Sequence, residues 1–149
     1  MSKFTPLDPA WEAKVQDSFG RQGFMRHLNA SLERLEPGLA QIEVAFRPEL
    51  TQQHGFFHAG VSGAIADTAG GYAAYSLFPA NSSVLTVEFK INLVAPAKGD
   101  RLRTLATVIK PGRTLTICDL KVFAIAGDRE VLCATGLQTL IRLDDKADG

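Results

Sequence analysis

The sequence predicts an α+β domain in which one long helix packs on a mainly antiparallel sheet. Its segments run in the order helix, two strands, long helix, four strands, and strands that do not alternate with helices argue against a doubly wound parallel sheet. The chain of 149 residues is 46% hydrophobic and 21% charged, a composition typical of one globular domain with its own core. We therefore expect a single domain over residues 1–149, with a helical extension at 1–27 and a polar tail at 144–149.

The N-terminal part of the chain predicts one helix and a β-hairpin. Apolar residues recur at helical spacing over Pro9–Gln22, directly after the potential cap Asp8. Two strands are expected over Leu28–Glu36 and Ala40–Phe46, because the turn signal Pro37-Gly38 separates them.

The long helix is predicted over His58–Leu77, and Pro79 follows as its stop signal. The rest of the chain is rich in β-branched and apolar residues interrupted by turn residues. It predicts four strands, over Val84–Val94, Arg101–Ile109, Thr114–Ala126 and Arg129–Leu143.

Charge and cysteine content exclude several classes of function. Lys plus Arg number 16 and Asp plus Glu number 16, and this balance argues against a nucleic-acid partner. Cys118 and Cys133 are too few for a disulfide framework and lack metal-ligand spacing, so we expect buried thiols. The N-terminus has no apolar signal segment, and Asp67 interrupts the most apolar stretch. We therefore expect a cytoplasmic protein with no membrane partner, metal or cofactor.

One face of the long helix consists of glycine and alanine around a single carboxylate. At 100° per residue, the residues within about 60° of Asp67 are Gly60, Gly63, Ala64, Gly70, Gly71 and Ala74. Each glycine in a helix costs about 1 kcal/mol relative to alanine, so a sheet, a second subunit or a ligand should approach this face closely. Asp67 is then either a hydrogen-bonded structural residue or a catalytic carboxylate.

The segment Gln52–Gly60 places amides, imidazoles and small residues directly before this helix. Free N–H groups at a helix N-terminus suit an oxyanion, and the amide of Ala59 or Gly60 can supply one. The sequence contains no Gly-x-Ser-x-Gly motif, which argues against a serine-type hydrolase.

The run His58-Ala59-Gly60, followed by Asp67 on the helix, resembles the hotdog-fold acyl-CoA thioesterases of the phenylacetate-pathway (PaaI-like) type. That family reads His-Gly-Gly here, and Ala59 departs from it while keeping the backbone N–H. The resemblance covers about residues 28–142 and extends to Gln52, Thr86, Asn92–Asp100 and Lys110–Thr114. It implies a curved antiparallel sheet wrapped around the helix, and a homodimer, or a homotetramer of two dimers, with sites at the subunit interface.

The chemistry that the resemblance implies is hydrolysis of an acyl-CoA thioester. Asp67 would act as a general base on water or as a nucleophile, and the Ala59 N–H would polarise the thioester carbonyl. Gln52 would orient the carbonyl or the water, and Thr86 would be an accessory residue. His58 either faces the thioester or caps the loop and fixes Ala59.

Substrate binding is assigned to four further residues, Gly60, Phe57, Lys110 and Arg113. Phe57 would line an acyl or aryl pocket, and the two cations lie on a turn where a coenzyme A phosphate can bind. Two other functions stay open on sequence alone: a hotdog hydratase or dehydratase, and a non-catalytic module that binds acyl-CoA.

Overall fold

Six antiparallel strands form one curved sheet around a central helix in the computed structural model, which describes residues 2–149. The helices are α1 (Trp11–Arg21), α2 (Gly23–Leu28) and α3 (Ala59–Tyr75), and the strands are β1 (Ser31–Glu36), β2 (Leu39–Ala45), β3 (Ser82–Leu93), β4 (Arg101–Lys110), β5 (Leu115–Ala126) and β6 (Arg129–Asp144). The order across the sheet is β1-β2-β4-β5-β6-β3, which makes β1 and β3 its two edges. The predicted α+β class is confirmed.

Helix α1 begins at Trp11 rather than at Pro9. Asp8 does not cap it directly, because its Oδ1 accepts a hydrogen bond from the Ala10 N–H at 2.9 Å in the turn before the helix. Asp8 is itself buried and forms an ion pair with Lys14 at 3.3 Å. This pair stabilises the start of the helical extension.

Helix α2 is an element that the sequence did not predict, and it corrects the predicted strand Leu28–Glu36. Leu28 ends this helix, and Asn29 follows in the left-handed conformation with φ 54°. The chain reverses there and enters β1 at Ser31. Asparagine tolerates positive φ better than most residues, which explains why the helix stops at this position.

Helix α3 lies at the centre of the core. It spans 17 residues, begins at Ala59 as expected from the predicted N-terminus at His58, and ends at Tyr75 rather than Leu77. A Cβ at Gly70 would lie 1.7 Å from the side-chain oxygen of Gln138, so β6 approaches the helix backbone closely at this point. The expected close approach of a sheet is thus confirmed at Gly70. No helix among residues 2–149 is long and apolar enough to cross a bilayer.

The two faces of β5 differ in burial, and buried side chains alternate with accessible ones along most of the strand. The inner set is buried and comprises Leu120, Val122 and Ala124. The outer set keeps access to solvent and comprises Leu115, Ile117 and Phe123. The core therefore occupies only the face of the sheet that wraps around α3.

Strand β3 is a long edge strand with exposed apolar side chains. It spans 12 residues and pairs along one side only, with β6. Leu85 is 58% exposed and Leu93 is 58% exposed. An edge of this length with apolar side chains is a template for pairing with another chain.

Candidate active site

Asp67 lies half-buried on α3, at the wall of a cavity of about 650 Å³ that also reaches Thr86 and Tyr72. Its Oδ1 accepts two hydrogen bonds, from Thr86 Oγ1 at 2.6 Å and from Gln138 Nε2 at 2.7 Å. Its Oδ2 has no hydrogen-bond partner among residues 2–149. The carboxylate is therefore held through one oxygen, and the other oxygen is free to react.

A β-bulge explains how Thr86 reaches the carboxylate. Thr86 pairs with Leu140 and Glu88 pairs with Thr139, so Val87 is an extra residue in β3 without a partner on β6. A bulge of this kind bends the strand and re-aims the neighbouring side chains. The structure thus brings together Asp67 and Thr86, two of the residues that the sequence resemblance assigned to the site.

Gln138 on β6 is the residue at this carboxylate that sequence reasoning missed. It is fully buried, and its Nε2 lies within hydrogen-bond distance of Asp67 Oδ1, of the Asp67 carbonyl oxygen at 3.1 Å and of Thr86 Oγ1 at 3.0 Å. A signal was present in the sequence: Gln138 alternates in phase with Ala134 and Leu140, which face the core. A polar side chain in such a set needs a buried polar partner.

The N-terminus of α3 presents one free amide. His58 is the N-cap, and its Nδ1 accepts a hydrogen bond from the Gly60 N–H at 2.8 Å. This hydrogen bond is compatible with the capping role predicted for His58, and the choice between its two roles stays a prediction. The Gly60 N–H is occupied by this bond, whereas the Ala59 N–H has no acceptor among residues 2–149. Ala59, and not Gly60, is the amide left for an oxyanion.

The loop before the helix holds Gln52 and Phe57 near Ala59, around a second cavity of about 500 Å³. The Phe57 N–H donates to the Ala97 carbonyl at 3.0 Å, which fixes the end of the loop. Gln52 Oε1 accepts a hydrogen bond from the His54 N–H at 2.6 Å. The Nε2 of Gln52 has no partner among the described residues and can donate to a ligand.

Asp67 and Ala59 of one chain do not line the same cavity. Asp67 borders the cavity that reaches Thr86, and Ala59 borders the one that contains Gln52. At a rise of about 1.5 Å per residue, the two residues lie about 12 Å apart along the axis of α3. One thioester group cannot contact both of them within a single chain.

Lys110 and Arg113 are exposed at the turn between β4 and β5. Neither residue lines the two cavities described above. The structure therefore does not bring these predicted phosphate ligands to Asp67 or Ala59 of the same chain.

Neither cysteine is suited to act as a nucleophile, although Cys133 lines the cavity that contains Gln52 and Ala59. Both cysteines are buried and unpaired by disulfides, as predicted. Burial raises the pKa of the Cys118 thiol to about 12, and burial also raises the pKa of Cys133. Both side chains are therefore neutral thiols near neutral pH and poor nucleophiles.

A helix wrapped by a curved sheet, with a free amide at its start and a carboxylate in its middle, is the arrangement of a hotdog-fold hydrolase of thioesters. The chain belongs to the thioesterase superfamily, whose family model matches residues 54–131. It is 44% identical to a thioesterase family protein from Silicibacter pomeroyi, with a TM-score of 0.88 over 90% of this chain and 98% of that one.

Two further comparisons agree with this membership. The proofreading thioesterase EntH of Klebsiella pneumoniae is 26% identical over 114 residues, which are 76% of this chain and 83% of that protein. The PaaI protein from the phenylacetic acid degradation operon of E. coli is 18% identical, with a TM-score of 0.81 over 92% of this chain and 96% of that one, and shares the fold. The predicted hotdog fold and the assignment as a thioester hydrolase are confirmed.

Proposed function

We propose that the protein hydrolyses acyl-CoA thioesters at composite sites in a homodimer, with Asp67 from one subunit and Ala59 and Gln52 from the other. The observation behind this proposal is the carboxylate of Asp67, which is held through Oδ1 and free at Oδ2 beside an open cavity. Such a carboxylate can accept a proton or attack a carbonyl carbon.

The proposed reaction has two alternative routes. In the first, Asp67 takes a proton from a water whose oxygen attacks the thioester carbonyl carbon. In the second, the carboxylate attacks that carbon and forms an anhydride, which water then hydrolyses. In both routes the Ala59 N–H stabilises the oxyanion and the C–S bond breaks. In the first route Asp67 passes its proton to the leaving thiolate. In the second the thiolate leaves as the anhydride forms and takes a proton from water, and hydrolysis of the anhydride releases the acid and restores the carboxylate.

The separation of Asp67 from Ala59 within one chain supports a site shared between two chains. Strand β3 offers an exposed, apolar edge next to Thr86, and pairing of two such edges would continue the sheet across a two-fold axis. The accessible outer face of β5, with Leu115 47% exposed, leaves apolar surface for contact between two dimers. We therefore propose a homodimer that assembles further into a homotetramer.

The experiment measures release of coenzyme A thiol from an aryl and a medium-chain probe, phenylacetyl-CoA and hexanoyl-CoA. Asp67→Asn should lower kcat at least about 100-fold, since an amide neither accepts the proton nor attacks the carbonyl. The matched control is Asp119→Asn, which changes a carboxylate paired with Lys121 on β5. Near-normal turnover by folded Asp67→Asn protein would refute the assigned role of Asp67.

Mixing two inactive variants tests the shared site. Gln52→Ala and Asp67→Asn chains, unfolded and refolded together, should regain partial activity, because some mixed dimers then contain one intact site. A monomer at full activity in sedimentation, or no recovery in verified mixed dimers, would contradict the composite site while leaving the hydrolase assignment intact.

The exposed turn at Lys110 and Arg113 is proposed to bind a coenzyme A phosphate on the bound substrate. Replacing both residues by alanine should raise KM and leave kcat unchanged, and the effect should shrink at high salt because exposed charges are screened. Arg129→Ala, which changes an exposed cation at the first residue of β6, is the matched control. An unchanged KM at low salt would exclude this role.

A further inference from the structure

We propose that Gln138 is a positioning residue for Asp67, which holds the carboxylate so that Oδ2 is the reacting oxygen. The inference rests on the proposed function of Asp67 and adds a residue to it. Gln138 is fully buried on β6, and its Nε2 donates a hydrogen bond to Asp67 Oδ1 at 2.7 Å.

The hydrogen-bond pattern fixes the orientation of the amide. Three acceptors surround Nε2: Asp67 Oδ1 at 2.7 Å, the Asp67 carbonyl oxygen at 3.1 Å and Thr86 Oγ1 at 3.0 Å. A flipped amide would place an oxygen against the carboxylate and the carbonyl, which have no proton to donate. Gln138 therefore binds both the side chain and the backbone of Asp67, and it also contacts the other donor, Thr86.

Burying the Gln138 amide costs folding free energy that an apolar residue at this position would not cost. Gln138 Oε1 is buried without a hydrogen-bond partner among residues 2–149. Gly70 provides the space for this group, since a Cβ there would lie 1.7 Å from Oε1 and 2.9 Å from the amide carbon. An apolar side chain would fill the same site without a buried, unsatisfied oxygen.

The two donors give Asp67 one defined arrangement. Thr86 and Gln138 both donate to Oδ1, so the carboxylate cannot rotate to exchange its two oxygens without breaking both bonds. Oδ2 is left to take the proton or to attack the carbonyl carbon. Fixed orientation of a reacting group contributes to the rate in both routes.

The experiment compares kcat and KM of Gln138→Leu with the unchanged protein on phenylacetyl-CoA and hexanoyl-CoA. Loss of a hydrogen bond to a charged group should lower kcat about tenfold to a hundredfold, with KM within about twofold. Thr104→Val is the matched control: it removes the hydroxyl of another fully buried residue, which donates to the Lys121 carbonyl at 3.0 Å and lies away from Asp67. This control should keep kcat unchanged.

Each outcome supports or overturns the inference. If Gln138→Leu does not fold, the unbranched Gln138→Met, of similar length, replaces it. A kcat equal to that of Thr104→Val, or a raised KM with unchanged kcat, would overturn the positioning role. Asp67→Asn is measured in parallel: if it is active, the proposed function fails, whereas an inactive Asp67→Asn beside a fully active Gln138→Leu refutes the inference alone.

Discussion

Ala59→Pro should remove the oxyanion donor and leave the fold intact. Ala59 is the first residue of α3, where a proline is favoured because its N–H has no partner within the helix. The preceding residue, His58, has φ −64° and ψ 140°, an extended conformation that a following proline accepts. The cap between His58 and the Gly60 N–H does not involve the changed nitrogen.

The expected loss of activity follows from the one hydrogen bond to the oxyanion that the variant cannot donate. The Ala59 N–H has no acceptor among residues 2–149, so its removal breaks no hydrogen bond of the described chain. Removing one oxyanion donor typically costs about 2.7–4 kcal/mol of transition-state stabilisation, or about 100- to 1,000-fold in kcat. Ala59→Gly keeps the N–H and should retain activity.

The assay combines steady-state thiol release with a thermal unfolding curve for each variant. The expected result is an Ala59→Pro protein that unfolds within a few degrees of the unchanged protein and has strongly reduced kcat. Full activity in folded Ala59→Pro protein would refute the oxyanion role of this amide. A large drop in Tm would instead refute the structural reasoning about the first helical position.

Two further predictions concern stability. Gly70→Ala should destabilise the protein, by about 1–5 kcal/mol, because its Cβ would overlap the Gln138 amide and outweigh the gain of about 1 kcal/mol in helix propensity. Gly71→Ala is its matched control, because a Cβ at Gly71 would lie at an ordinary contact distance of 3.8 Å from Leu140. This control should raise Tm by about 2–4 °C. A Gly70→Ala protein as stable as Gly71→Ala would contradict the packing argument. The buried Cys118 thiol, with its pKa raised from 9 to about 12, stabilises the fold fully below pH 9 and progressively less as the pH rises toward 12, because the unfolded thiol ionises first. The free energy of unfolding in urea should therefore fall by up to about 1.4 kcal/mol per pH unit from this group, and Cys118→Ala should make the slope shallower; an unchanged slope would contradict the assignment.

The order of elements and the position of the carboxylate could be predicted from the sequence because both depend on local signals. The turn residues separated the four C-terminal strands, and the glycine and alanine face around Asp67 indicated a close approach that the structure has at Gly70. The predicted start of the long helix at His58 lies one residue from Ala59, where α3 begins. These features follow from neighbouring residues and from the helical period.

Two features depended on information that the sequence does not contain locally. Helix α2 has six residues, begins with glycine and is too short for an apolar period, so its end at Leu28 resembled the start of a strand. The alternation of Gln138 with Ala134 and Leu140 indicates a core-facing polar residue, but its partner Asp67 could be identified only after β6 was known to lie between β5 and β3. The roles of Gln52, Thr86, Lys110 and Arg113 in catalysis and binding stay predictions.

The pairing of β3 with β6 has a consequence for the order in which the chain matures during synthesis. β3 leaves the ribosome before β4 and β5, yet its partner in the sheet is the last strand to be made. The donors to Asp67 lie 19 and 71 positions further along the chain, so both can hold the carboxylate only after residue 138 has emerged. Contacts of such long range form slowly, and β3 has no partner strand until β6 has been made. A premature stop before β6 would therefore give a product with α3 formed but neither a closed sheet edge nor a fixed carboxylate, and such products are natural substrates for chaperones and proteases.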